Sequence, residues 1–451
     1  MADTQALIQL VDRHRPLILA AERWIWQHPE TGFREWKTSE YLEKAFEDLG
    51  YTLNRAGNIP GFTTEIDTGR PGPCVLVLGE MDSLLCADHP EADPETTAVH
   101  ACGHHAQCAA LLGLAAALKE EGALNGLSGR IRLCAVPAEE LIETGYRETL
   151  REQGVIRYLG GKVEFLHRGY FDGVDMSFML HTGGGDKDFI ATRGGNGCVV
   201  KNIYYQGHAV HASGAYNGIN ALYAANLGMQ AINSLRETFR DEDRIRVHPI
   251  ITKGGTAVNA IPSDVRMESY VRGSNMPAIL AANRRVNRAL AASAAAMGAQ
   301  VHLQDRPGYA PLNNDTNLNR IAVQAMKLIS PEDRIHVDDS WSTGCTDMGD
   351  LSAVMPAVQP YACGAAGTGH GNDYRIEDPE RACVNAAKCY LLMLRLLLEN
   401  DAAEAKKVVS EAKPVYSSFK EYFDTIDRIM LDRDAVTQNE DGTITLSYVN
   451  E

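Results

Sequence analysis

Apolar and polar positions follow two different grammars along this chain, and the change between them falls near residue 193. In the first stretch, helix-period patterns at Thr4–Trp26 and Lys37–Leu49 alternate with short apolar runs at Cys74–Leu78, Arg130–Val136 and Met176–Leu180. An alanine-rich segment, His105–Leu118, is apolar all round and reads as a buried helix. Strands alternating with helices predict an α/β fold with a mixed, mostly parallel sheet, whose binding crevice lies at the strand ends.

From about Arg193 the order becomes strand (Cys198–Tyr205), helix (Asn220–Leu235), two strands (Arg244–Thr252 and Val265–Val271), helix (Ala278–Met297) and strand (Gln300–Gln304). This β-α-β-β-α-β sequence is the ferredoxin-like, split βαβ pattern, read here as an inserted second domain. The α/β character then resumes with a helix at Thr316–Leu328, a polar loop over Ser340–Gly349, a strand-like Ala357–Cys363 and a helix at Glu380–Leu398. The expected division is a catalytic domain in two parts, 1–192 and 306–451, interrupted by a smaller domain at 193–305. The last fifty residues read as a charged helical extension, with DGTIT as a turn into a short strand.

Bulk properties narrow the function. At 451 residues the chain is long enough for two cores. A net charge of −16 argues against nucleic acid and against an anionic membrane surface, because there is no basic patch to neutralise phosphates. No stretch has the length and apolarity of a membrane span, and the N-terminus lacks the pattern of a secretory signal. Ten cysteines scattered without a scaffold rhythm read as reduced thiols, which predicts a soluble, cytoplasmic protein.

The chemistry concentrates in two short segments. His100–Ala101–Cys102–Gly103–His104 offers a thiol and two imidazoles at the start of a helix, where a thiolate is favoured. Pro137–Ala138–Glu139–Glu140 follows a strand end with two adjacent carboxylates. Neighbouring carboxylates point apart, so one can bind a cation while the other faces an attacking water. Asp82, after the Cys74–Leu78 run, reads as a direct ligand, as support for a ligand histidine, or as a turn cap. His181 and His370 stand among glycines with room around the imidazole. In the second domain His211, Asn259 and Arg272 read on composition alone as surface and turn residues.

Ordered motifs then tie these segments together: HPETGF near residue 28, GEMDSL at Gly79, HACGH at His100, PAEE at Pro137, GHAVHAS at Gly207, GGTAVNAIP at Gly254 and STGCTDMGDLS at Ser342. With them the chain resembles the M20 metallopeptidases and amidohydrolases, in the branch of N-acyl-amino-acid amidohydrolases and p-aminobenzoyl-glutamate hydrolase. The resemblance implies a catalytic domain with two divalent metal ions, Zn²⁺ or Mn²⁺ with Co²⁺ admissible, and a lid domain that mediates homodimerisation. It implies Cys102, His104, Glu140, His181 and His370 as metal ligands, Glu139 as general base and Asp82 as support. In the lid it implies His211 as stabiliser of the transition state, and Asn259 and Arg272 as substrate contacts.

The sequence departs from the family pattern in four places. Leu85 replaces a proline, His105 replaces Asp or Asn after HACGH, an insertion lies between Glu140 and His181, and GTGHGND is an unusual histidine motif. The implied substrate is an N-acyl or N-aroyl amino acid. A dipeptide, and a non-catalytic metal- or ligand-binding role, are the alternatives.

Overall fold

In the computed structural model, which describes residues 4–449, the run Cys74–Leu78 becomes the strand Cys74–Glu80, buried along its whole length. A strand covered on both faces shows a continuous apolar run rather than alternation. Its two neighbours, Arg130–Val136 and Met176–Phe178, are parallel to it. The sheet order is Asn54–Arg55, Phe62–Asp67, Arg130–Val136, Cys74–Glu80, Met176–Phe178, Ala357–Val358. Only the pairings made by Phe62–Asp67 are antiparallel, so the sheet is mixed and mostly parallel.

The helix His104–Leu118 is buried at every residue and packs on the central strand and on the helix Arg15–Trp26. Small side chains permit this approach: a Cβ on Gly113 would stand 2.5 Å from Ile18 Cδ1. The Thr4–Trp26 pattern is two helices, Thr4–Asp12 and Arg15–Trp26. Pro16 explains the break, since it has no amide hydrogen with which to continue the first helix but fits the opening turn of the second. A second, smaller sheet carries Tyr361–Ala366 parallel to His181–Gly184 and antiparallel to Phe189–Ala191.

The chain divides into two units. One contains the segment up to Gly194, Asn313–Trp341 and Asp350–Val415; the other contains Gly195–Leu312, Ser342–Gly349 and the chain from Tyr416. In the second unit Gly197–Gln206 lies between Asp264–Gly273 and Gln300–Pro307, antiparallel to both. The helices Ala221–Leu235 and Met276–Ala296 complete a split βαβ arrangement. Asn220 caps the first of them, its Oδ1 accepting the Leu222 and Tyr223 amides at 3.0 and 3.1 Å. The expected strand Arg244–Thr252 is two short strands, Arg246–Val247 and Ile250–Lys253, separated at Pro249.

The C-terminal segment differs from the sequence reading, which keeps residues 306–451 with the first domain and ends them as a helical extension. The chain from Tyr416 instead belongs to the second unit, where Leu431–Asp434 adds a strand beside Gln300–Pro307. His302 fastens it, with ring nitrogens 2.8 Å from Asp432 and 2.9 Å from Asp434. The DGTIT expectation corresponds to a hairpin of Val436–Gln438 with Ile444–Leu446.

Candidate active site

Three neighbouring parallel strands end side by side, and each ending carries chemistry. Cys74–Glu80 runs into Asp82, Arg130–Val136 into the PAEE turn, and Met176–Phe178 into the stretch before His181. The turns themselves are unusual. Gly103 has φ of +88°, and a Cβ there would lie 2.0 Å from Thr182 Oγ1 and 2.3 Å from Tyr374 Oη, so only glycine fits between Cys102 and His104. Ala138 takes φ of 58° and donates its amide to the buried Glu35 Oε1 at 2.7 Å. His370, at φ of 63°, donates its amide to Ala101 O at 2.8 Å, which ties the GTGHGND loop to HACGH.

These turns gather the expected residues of the first unit. Ligand atoms of Cys102, His104 and His181 lie within 4.8 Å of one another, and so do those of Cys102, Glu140 and His370. Cys102 belongs to both groups. A third group joins His104, Glu139 and Glu140. Cys102 Sγ is 3.5 Å from His181 Nε2, and His370 Nε2 is 3.0 Å from Glu140 Oε1. Asp82 supports the arrangement: its Oδ1 lies 3.2 Å from His104 Nδ1, and its Oδ2 accepts the Glu140 amide at 2.8 Å. That contact fixes His104 by Nδ1 and leaves Nε2 to face the cluster.

Electrostatics follow from this crowding. Burial alone raises the Cys102 thiol, but His104 and His181 bring it down to about 6. Burial opposes charge on His104, yet Cys102, Glu80 and Asp82 hold its pKa well above the ordinary value. His370 is raised to about 10 by Cys102 and Glu140. Asp82, despite full burial, sits at about 2 because His104 faces it. Protons on the imidazoles therefore balance a thiolate and several carboxylates, a role that divalent cations fill equally well.

The donor set fits such cations. Thiolate, imidazole and carboxylate together suit Zn²⁺ and its neighbours. His104 Nε2 and Glu140 Oε1 are buried beside charged neighbours without a well-aligned hydrogen bond, as ligand atoms aimed at a cation are.

His100 does not join any ligand group among the described residues. It is fully buried, with its ring 5.2 Å from that of His105. His211, Asn259 and Arg272 lie in the second unit. The first two are brought together, with Ala212 N donating to Asn259 O at 2.9 Å and His211 bridged to Ala260. His211 Nδ1 is 2.7 Å from Ser213 Oγ. Arg272 lies near the far end of the strand Asp264–Gly273, about 26 Å along it from Asp264 at roughly 3.3 Å per residue.

Sequence reasoning missed several supporting residues. Lys162, wholly buried, pairs with Glu80, whose other oxygen accepts Gln107 Nε2 at 2.9 Å and faces His104 Nε2 at 3.2 Å. Glu35 and Arg147 are also buried against the PAEE turn. The glycine pair before Lys162 was the one available signal, because a Cβ on Gly161 would collide with Pro137 O at 1.6 Å.

The chain is similar to several known hydrolases. The chain is 28% identical over 396 residues to an Xaa-Arg dipeptidase of Mus musculus, covering 85% of this chain and 84% of that one. It is 28% identical over 274 residues to a component of the p-aminobenzoyl-glutamate hydrolase of Escherichia coli, covering 59% of this chain and 52% of that one. A dinuclear metal-binding M20 peptidase from Bacillus subtilis shares the fold with a TM-score of 0.62 at 20% identity, over 86% of this chain and 99% of that one. Residues 76–396 match the profile of peptidase family M20/M25/M40. The chain belongs to that family and is a metal-dependent hydrolase of amides.

Proposed function

We propose that this enzyme hydrolyses the amide bond of N-acyl or N-aroyl amino acids, aminobenzoyl-glutamate-like conjugates among them. The observation that carries the reading is the pair of ligand groups sharing Cys102, with Glu139 beside His104. Cys102, His104 and His181 would hold one cation, and Cys102, Glu140 and His370 the other. When bound, such a pair would activate water and polarise a carbonyl. Glu139 takes the proton of the attacking water and returns it to the leaving amine. Asp82 keeps His104 oriented. His211 would donate to the developing oxyanion, acting from the lid of a second copy, and Asn259 and Arg272 would meet the substrate carboxylate.

A homodimer through the lid is supported by the exposed Tyr223 and Leu227 on one lid helix and by Ile250 and Ile251 on the edge strand. Zn²⁺ and Mn²⁺ suit the donors, with Co²⁺ a third choice. A cytoplasmic location accords with ten free cysteines and with the absence of any described helix long and apolar enough to cross a membrane.

A dipeptidase is the second reading, favoured by the similarity to the Xaa-Arg dipeptidase over most of the chain. A requirement for a free α-amino group separates the two. The test is a panel of N-acyl amino acids and dipeptides against metal-reconstituted protein, with Glu139→Gln alongside. The variant should keep its metal and lose about 10²–10⁴-fold in kcat. Unchanged kcat refutes the assignment.

A further inference from the structure

The helix Thr144–Glu152 lies in the interval between Glu140 and His181, and its sequence TGYRETLRE reads as a solvated surface helix. Arg147 contradicts that reading, being 1% exposed. Its guanidinium donates to Leu159 O at 2.6 Å, to Ala138 O at 3.5 Å and to Glu140 O. Two of these three acceptors are the carbonyls flanking Glu139. Gly32 makes room for the group, since a Cβ there would lie 2.3 Å from Arg147 Nη2. From the exposed side, Arg34 ties down the same helix, 2.7 Å from Glu143 and with its guanidinium carbon 3.6 Å from the Tyr146 ring centroid.

The turn between Ala138 and Glu140 needs holding. Ala138 has a left-handed backbone that a non-glycine residue keeps only where its surroundings over-determine it. Glu35 takes the amide of Ala138, and Arg147 takes the carbonyls of Ala138 and Glu140. A planar guanidinium with five donors in a rigid fork can reach several carbonyls at once, which a lysine ammonium cannot do with the same geometry.

We infer that this helix is a clamp in which Arg147 is a positioning residue, fixing the turn that presents Glu139 and Glu140. The inference rests on the metal reading above and predicts an asymmetry. Glu140 belongs to the group with Cys102 and His370 and to that with His104 and Glu139, whereas Cys102, His104 and His181 form their group without it. Loosening the clamp therefore weakens one cation and spares the other, while misplacing Glu139.

The test is chelator competition for Zn²⁺ on the full-length protein, with kcat and KM measured alongside, for Arg147→Met, Arg147→Lys and Glu140→Gln. Arg147→Met should weaken one of the two affinities by about 10–100-fold, the range for groups that orient metal ligands. It should lower kcat while KM changes little, and Arg147→Lys should show the same pattern to a smaller degree. Wild-type affinities and kcat in the arginine variants, or equal weakening of both cations, overturn the clamp. If Glu140→Gln leaves both affinities intact, the metal reading itself fails. If it weakens one and the arginine variants weaken neither, only the clamp fails. Should Arg147→Met not fold, Arg147→Lys, which keeps the charge and bulk, carries the test.

Discussion

Replacing Lys162 with methionine removes the cation from an ion pair in which both side chains have no exposure at all. Glu80 would then keep a buried carboxylate whose remaining neighbours include Gln107 Nε2, the His104 imidazole and the Glu139 carboxylate. Attraction to Lys162 is the largest influence countering the burial of Glu80, which holds that carboxyl below its ordinary pKa. Breaking a buried pair on one side costs about 3–5 kcal/mol, a large share of the roughly 5–15 kcal/mol that stabilises a typical protein. With a urea m-value of about 3 kcal/mol/M, the midpoint of chelated protein should fall by about 1–1.7 M. The Lys162→Met/Glu80→Gln double variant should recover most of that loss, because no charge is left stranded. A single-variant midpoint within about 0.2 M of wild type would show that Lys162 does not compensate the Glu80 charge, as would a double variant no better than the single.

Gly103→Ala should destabilise by more than about 1–2 kcal/mol and disturb metal binding, because φ of +88° is costly for alanine and its Cβ collides with Thr182 and Tyr374; thermal unfolding and metal analysis check both effects, and a neutral variant contradicts the turn geometry. In chelated protein His370 titrates at about 10 rather than 6.5, so its contribution to stability is complete below pH 6.5 and is lost as pH rises through 10. The stability gap between wild type and His370→Gln should accordingly shrink over that range in thermal melts, and a widening gap would invert the assignment.

Much of this architecture was legible because its signals are local. A doubly covered strand shows itself as an apolar run, as at Cys74–Glu80. The clustering of the candidate site residues was legible for a related reason. Cys102 with His104 and Glu139 with Glu140 sit in contiguous turns, so spacing along the chain already fixes their proximity. Buried charges were not legible. Arg147 lies in a helix of charged residues, and nothing in TGYRETLRE marks one arginine as facing inward; its partners are carbonyls, which have no sequence signature. Leu431–Asp434 was missed for the opposite reason. LDRD has one apolar residue in four because only Leu431 is buried in this edge strand, so periodicity gave no strand signal. Pro249 and Pro16 marked breaks that hydrophobic periodicity alone ran across.

Metal stoichiometry distinguishes a shared-thiolate centre from two separate sites, because Cys102 is shared between the two ligand groups while His181 and His370 each belong to one. Titration of chelated protein with Zn²⁺ should find two tight ions in the wild type, one in His181→Ala, one in His370→Ala and none in Cys102→Ala. A wild type that binds a single ion, or a Cys102→Ala variant that keeps both, would contradict the shared-thiolate centre.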